Sequence, residues 1–319
     1  MPLSYTEFFE CYMKTNRPVI IGADLVSSWP AFVLWRTSRE KDTCLPGKEI
    51  NWDYLADRYG HHEVTVADCA TSDSFGNLEC TSSPFIDIVN KWKCGEGRSL
   101  YVKDWHLALT ETSEAIEGSK KSQAFYITPD LFRDDWMNSY YTAHTADDFR
   151  FVYVGAAGTF TPLHRDVYCS YSWSTNVCGR KRWWLFPPEQ TPYLFLKGRN
   201  VSVHDVRDVD LTRFPEYAKT TPIVVDQEEG ETIFVPSGWY HQVENLTACI
   251  SINHNWCNSV NLPSLYLSMC DKVVEVEEAL EDVREMLMTS QDNKEEKTDW
   301  KREFVKIVQD VVKQDAGWK

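Results

Sequence analysis

The feature that most constrains the fold is a series of short β-branched and aromatic runs, each closed by Gly, Pro or a polar cluster. They fall at residues 18–21, 64–66, 100–102, 151–154, 182–186, 223–225, 232–235 and 248–252. Many short strands punctuated by turn residues build a sandwich or jelly roll, in which two sheets close over one interior. Short, weakly periodic helices are expected at 4–14, 51–59 and 132–138, as decoration on the β core. A chain of 319 residues with 43% apolar content has ample material for a core without disulfide staples.

The text changes near residue 262. Val273, Val276, Leu280, Val283 and Leu287 step by 3, 4, 3 and 4, which places them on one helical face. Trp300, Phe304, Ile307 and Val311 repeat the pattern after a polar linker at 289–298. The expected organisation is therefore a mainly β unit over 1–261 and a helical segment over 262–319. That segment either packs on the core or mediates a homodimer.

Two stretches carry chemistry. The first, Gly158-Thr159-Phe160-Thr161-Pro162-Leu163-His164-Arg165-Asp166, ends in H-x-D, and a two-residue step on a strand points an imidazole and a carboxylate to one face. Such a pair alone is weak evidence of a metal. The second runs from Gly230 to Asn245 and reads as a strand, a tight Pro236-Ser237-Gly238 turn and a strand carrying His241. His164, Asp166 and His241 then form a 2-His-1-carboxylate set, which holds one face of an octahedral metal and leaves three positions open.

These stretches, G-x5-H-x-D and G-x5-P-x-G-x2-H-x3-N, match both motifs of the cupin superfamily. Between them, Gly179-Arg180-Lys181-Arg182-Trp183-Trp184-Leu185-Phe186-Pro187-Pro188-Glu189-Gln190 resembles a characteristic strand of the JmjC oxygenases. Leu100-Tyr101-Val102-Lys103-Asp104-Trp105 resembles that family's pocket-wall strand. The resemblance implies a double-stranded β-helix with peripheral helices, and Fe(II), 2-oxoglutarate and O2 as the reacting set. It implies His164, Asp166 and His241 as metal ligands and catalytic centre. Lys181 is then the partner of the distal 2-oxoglutarate carboxylate, helped by Thr161 and Tyr101, with Tyr153 lining the same pocket. An amide near the metal falls on Asn253 or Asn255, with Asn253 favoured. Ser172 stands where many relatives carry Asn.

Within the family, Tyr171 to Lys181 and the exit sequence Ser251-Ile252-Asn253-His254-Asn255-Trp256 resemble the protein lysyl hydroxylases. That resemblance implies a lysine-containing translation termination factor as substrate. N-methyl-lysine demethylation, RNA hydroxylation and a non-catalytic binding module are the rival readings.

Composition bears on partners. Lys+Arg number 33 against 48 Asp+Glu, a net charge of −15, which suits a basic protein partner and disfavours nucleic acid. No apolar run approaches the roughly 18 residues of a membrane span, and the first thirty residues lack a secretory pattern, so a cytoplasmic or nuclear location is expected. The ten cysteines include no C-x-x-C pair and read as reduced thiols. Adjacent His61 and His62 would face opposite sides of a strand, which argues against a metal pair there.

Overall fold

A computed structural model of the chain describes residues 3–38, 48–72, 77–116, 124–291 and 300–315. Among the described residues the strands are β1 (Val19–Ile21), β2 (Arg36–Ser38), β3 (Lys48–Ile50), β4 (Glu63–Ser72), β5 (Leu78–Pro84), β6 (Leu100–Trp105) and β7 (Arg150–Gly155). They continue with β8 (Phe160–Arg165), β9 (Tyr171–Cys178), β10 (Lys181–Phe186), β11 (Ile223–Gln227), β12 (Thr232–Val235), β13 (Tyr240–Asn245) and β14 (Cys249–Trp256). An eight-stranded sheet in the order β1-β12-β9-β14-β7-β6-β4-β5 faces a four-stranded sheet in the order β11-β10-β13-β8. The pairings within both sheets are antiparallel, and β2 and β3 form a separate antiparallel pair. This is the expected jelly roll with helices around it.

Alternation along β9 and β14 divides the molecule. Outward residues Trp173, Ile250, Ile252 and Trp256 join the main core, which also takes Phe8, Trp29, Trp35, Tyr59, Phe85, Trp105 and Phe132 from the surrounding elements. Phe132 stacks on Trp173 with ring centroids 5.4 Å apart. Most of the tryptophans thus serve packing. Inward, β9 offers Ser172, Ser174 and Asn176, and β14 sets Asn255, Asn253 and Ser251 directly opposite them. A smaller apolar cluster of Trp183, Leu185, Ile233, Val235, Trp239 and Val243 fills the rest of the space between the sheets.

The helices depart from expectation in part. The first is a short α-turn, Tyr5–Phe8, that widens into a π-turn over Phe9–Met13. Trp52–Tyr59 starts where Asn51 accepts a bond from the Tyr54 amide at 3.2 Å. The helix expected at 132–138 instead spans Trp136–His144, because Asp135 is its N-cap and accepts from the Asn138 amide at 2.9 Å. Phe85–Lys93 and Leu107–Ile116 are further helices that the sequence reading did not assign.

The C-terminal segment forms Leu262–Ala279, Glu281–Gln291 and Trp300–Asp315. Leu265 and Met269 lie against Met137, Tyr141, Phe149, Tyr168 and Cys257, which ties the first helix to the β unit. Val276, Leu280 and Leu287 close instead on Phe304, Val308 and Val311. The stripe read from sequence is interrupted at Leu280, where one helix ends and the next begins, and Val273 is exposed. The polar linker from residue 292 onward, the side chain of Trp300 and Cys44 lie outside the described residues. The nine described cysteines are free thiols.

Candidate metal centre and co-substrate pocket

His164 on β8 and His241 on β13 are direct partners in the register of the four-stranded sheet, with ring centroids 4.2 Å apart. Their neighbours reveal a bulge: Thr161 pairs with Val243, so three steps along β8 answer two along β13. The extra residue turns both Thr161 and His164 inward, which regular alternation would forbid. Each imidazole has its tautomer fixed by backbone. His164 Nδ1 donates to the Pro162 carbonyl at 2.8 Å and His241 Nδ1 to the Trp239 carbonyl at 3.2 Å, leaving both Nε2 atoms as ligands.

Asp166 reaches the same point by a route that differs from expectation. It stands just past the end of β8, at φ −59° and ψ 146°, at the start of a tight turn over Val167–Cys169. Tyr168 and Cys169 both have φ near +50° (53° and 52°), a costly conformation for side chains of that size, and the turn reverses the chain into β9. The Pro-Ser-Gly turn holds it there. Gly238 supplies the positive φ of 78° that the turn needs, and Ser237 Oγ donates to the Cys169 carbonyl. Ser172 Oγ donates to Asp166 Oδ2 at 2.7 Å, which leaves the other carboxylate oxygen for a metal. The ligand atoms of His164, Asp166 and His241 all lie within 4.8 Å of one another. Burial, reinforced by the neighbouring His241 ring and opposed by Asp166, pushes the His164 pKa down to about 4, so this imidazole is a neutral donor at physiological pH. The donor set fits a divalent iron.

Lys181 fits the co-substrate. It projects from β10 across the interior, is only 2% exposed, and donates to Ser251 Oγ on β14 at 2.8 Å. No acidic side chain pairs with it among the described residues, and burial pushes its pKa down to about 8. A buried ammonium without a counter-ion is costly, and a ligand carboxylate would offset that cost.

A family model described as a cupin-like domain matches residues 5–261. A Drosophila melanogaster protein described as a 2-oxoglutarate and iron-dependent oxygenase JMJD4 homolog is 32% identical, over 89% of this chain and 69% of its own length. This chain belongs to the cupin-like JmjC oxygenases. The Gallus gallus 2-oxoglutarate and iron-dependent oxygenase JMJD4 is 35% identical, over 86% of this chain and 63% of its own. The Arabidopsis thaliana arginine-specific demethylase JMJ20 is 38% identical, over 89% and 62%. The chain thus spans slightly under two thirds of the length of the chicken and plant relatives.

In this member of the family the remaining expected pocket residues lie close to one another. The Tyr101 hydroxyl lies near the Thr161 side chain, and the Tyr101 ring lies 6.0 Å from that of Tyr153, whose hydroxyl donates to Asp104 at 2.6 Å. Asn253 accepts from Ser174 Oγ at 3.1 Å, and Asn255 donates to Ser170 Oγ at 3.2 Å. Both amides face inward, so alternation alone does not choose between them. Sequence reasoning missed Ser251 as the partner of Lys181, although the polar alternation Ser251, Asn253, Asn255 signals an inward face. It also missed Gly155, where a Cβ would stand 2.5 Å from Thr159 Oγ1 and 2.6 Å from the Tyr101 ring. His61 and His62 lie in a turn and not on a strand, and both rings reach Glu114.

Proposed function

We propose that this chain hydroxylates a carbon of a lysine side chain in a protein substrate, a translation termination factor, using Fe(II), 2-oxoglutarate and O2. The observation that carries the reading is the pairing of the inward His164, Asp166 and His241 set with the buried, unpaired cation of Lys181 inside one polar space between the sheets. Iron, when bound, supplies the oxygen chemistry that side chains lack. The residues do the rest. His164 and His241 present Nε2, Ser172 orients the Asp166 carboxylate, and Lys181, with Thr161 and Tyr101, receives the far carboxylate of 2-oxoglutarate. The outer aromatic core keeps bulk water from the back of the sheet, and the surface charge of −15 favours the approach of a basic segment. The termination-factor assignment rests on the resemblance of residues 171–181 and 251–256 to the lysyl hydroxylases.

A second reading, removal of an N-methyl group from arginine, is favoured by the description of the Arabidopsis relative. The same carbon hydroxylation on a methyl group would lead to it. The test is succinate formation with Fe(II), 2-oxoglutarate and O2, in wild type, His164→Ala and Lys181→Ala, with and without a lysine-containing termination-factor fragment. Mass spectrometry of the fragment separates the readings, since hydroxylation leaves an added oxygen atom and demethylation removes a methylene unit. Turnover stimulated by the fragment with oxygen gain is expected. Fully metallated protein that forms no succinate would overturn both readings in favour of a binding module.

A further inference from the structure

A second set of metal-ligating side chains lies on the outer side of the eight-stranded sheet, apart from the triad. His61 and His62 follow helix Trp52–Tyr59 in a tight turn, and Glu114 sits near the end of helix Leu107–Ile116. His61 Nε2 is 3.1 Å and His62 Nε2 3.2 Å from the same Glu114 oxygen, and the three ligand atoms lie within 4.8 Å of one another. Zinc bonds of about 2.0–2.1 Å in tetrahedral geometry set neighbouring ligand atoms about 3.4 Å apart, close to the spacing found here. His62 is buried, its ring 5.8 Å from both Tyr59 and Trp105, whereas His61 is half exposed and leaves a side open to water as fourth ligand. The nearby guanidinium of Arg58 is already neutralised by Glu111, in an ion pair joining the same two helices. A third cluster, His106 with Asp147 and Asp148, lacks this character, because Arg150 donates to Asp148 at 2.6 Å and its cation opposes a metal.

We propose that His61, His62 and Glu114 form a site for Zn2+ that fastens the end of the first helix to the second. The first measurement uses the full chain with His164→Ala and Asp166→Ala, so that the triad retains no metal. The protein is stripped with chelator, exposed to Zn2+ and desalted, and its zinc is counted by mass spectrometry. One zinc ion per chain is expected, with a raised melting temperature and, after Co2+ exchange, the visible absorption of a tetrahedral site. Adding His61→Ala, at a half-exposed position, or Glu114→Gln should remove the bound metal and both effects. Should the triad variant not fold, wild type is compared with His61→Ala: two zinc ions per chain against one, with unchanged succinate formation in the iron-loaded enzyme. Absence of retained zinc in the folded triad variant, or equal zinc with and without His61, would overturn the site.

Discussion

The two faces of β9 and β14 have opposite character. Outward, Trp173, Ile252 and Trp256 are packed in aromatic surroundings; inward, one residue away in each case, stand Ser172, Asn253 and Asn255. The same backbone serves stability on one side and ligand chemistry on the other. Substitutions should therefore separate cleanly into those that unfold the protein and those that silence it.

The largest expected effect breaks the outer face. Trp173→Ala removes a fully buried ring stacked on Phe132 and should cost about 3–5 kcal/mol, read as a lower denaturation midpoint, while the folded fraction keeps its turnover. Lys181→Met tests the other side. It should lower 2-oxoglutarate turnover about 100-fold, a charge-assisted interaction worth about 2–3 kcal/mol, with a melting temperature no lower than wild type because a buried ammonium has gone. A melting temperature that falls with activity would refute the separation. Ser172→Ala frees the second oxygen of Asp166 and should weaken iron binding about 10-fold in a metal titration, with little change in stability.

The smallest effect is one of pH, and its two halves run in opposite directions. With its pKa at about 8 in the folded chain, below the ordinary 10.5, Lys181 holds fewer protons folded than unfolded between those values. Its contribution to stability should therefore rise as pH climbs through that window. Affinity for 2-oxoglutarate should fall over the same range, because the free site loses the cation that the carboxylate needs. Paired calorimetric titrations and thermal melts from pH 7 to 10 would check both signs.

The strands were legible where apolar and β-branched residues dominate, and each of the eight runs lies within or across a strand. β5, Leu78 to Pro84, was not, since its exposed, hydroxyl-rich text is held by pairing with β4 and not by an apolar face. Helix Phe85–Lys93 did carry a signal: Phe85, Ile88, Val89 and Trp92 have helical spacing directly after Pro84. The convergence of His164, Asp166 and His241, and the inward place of Lys181, were readable because motifs fix these residues along the chain. Their partners Ser172 and Ser251 depend on which residues oppose each other across strands, which a linear text does not state. The error at His61 and His62 had a similar source, a strand assumed where a turn brings neighbouring rings together.

The bulge in β8 makes the candidate site a matter of parity. Deleting either Pro162 or Leu163 would restore simple alternation, and the strand could pair along its whole length. His164 and Thr161 would then stand two residues apart and still share the inward face, so a protein one residue shorter should keep its metal ligands; only a strand that kept the three-residue step without the bulge would turn one of them out. The count of residues between Thr161 and His164 can thus fall by one without moving either side chain to the other face, provided that the bulge is lost with it.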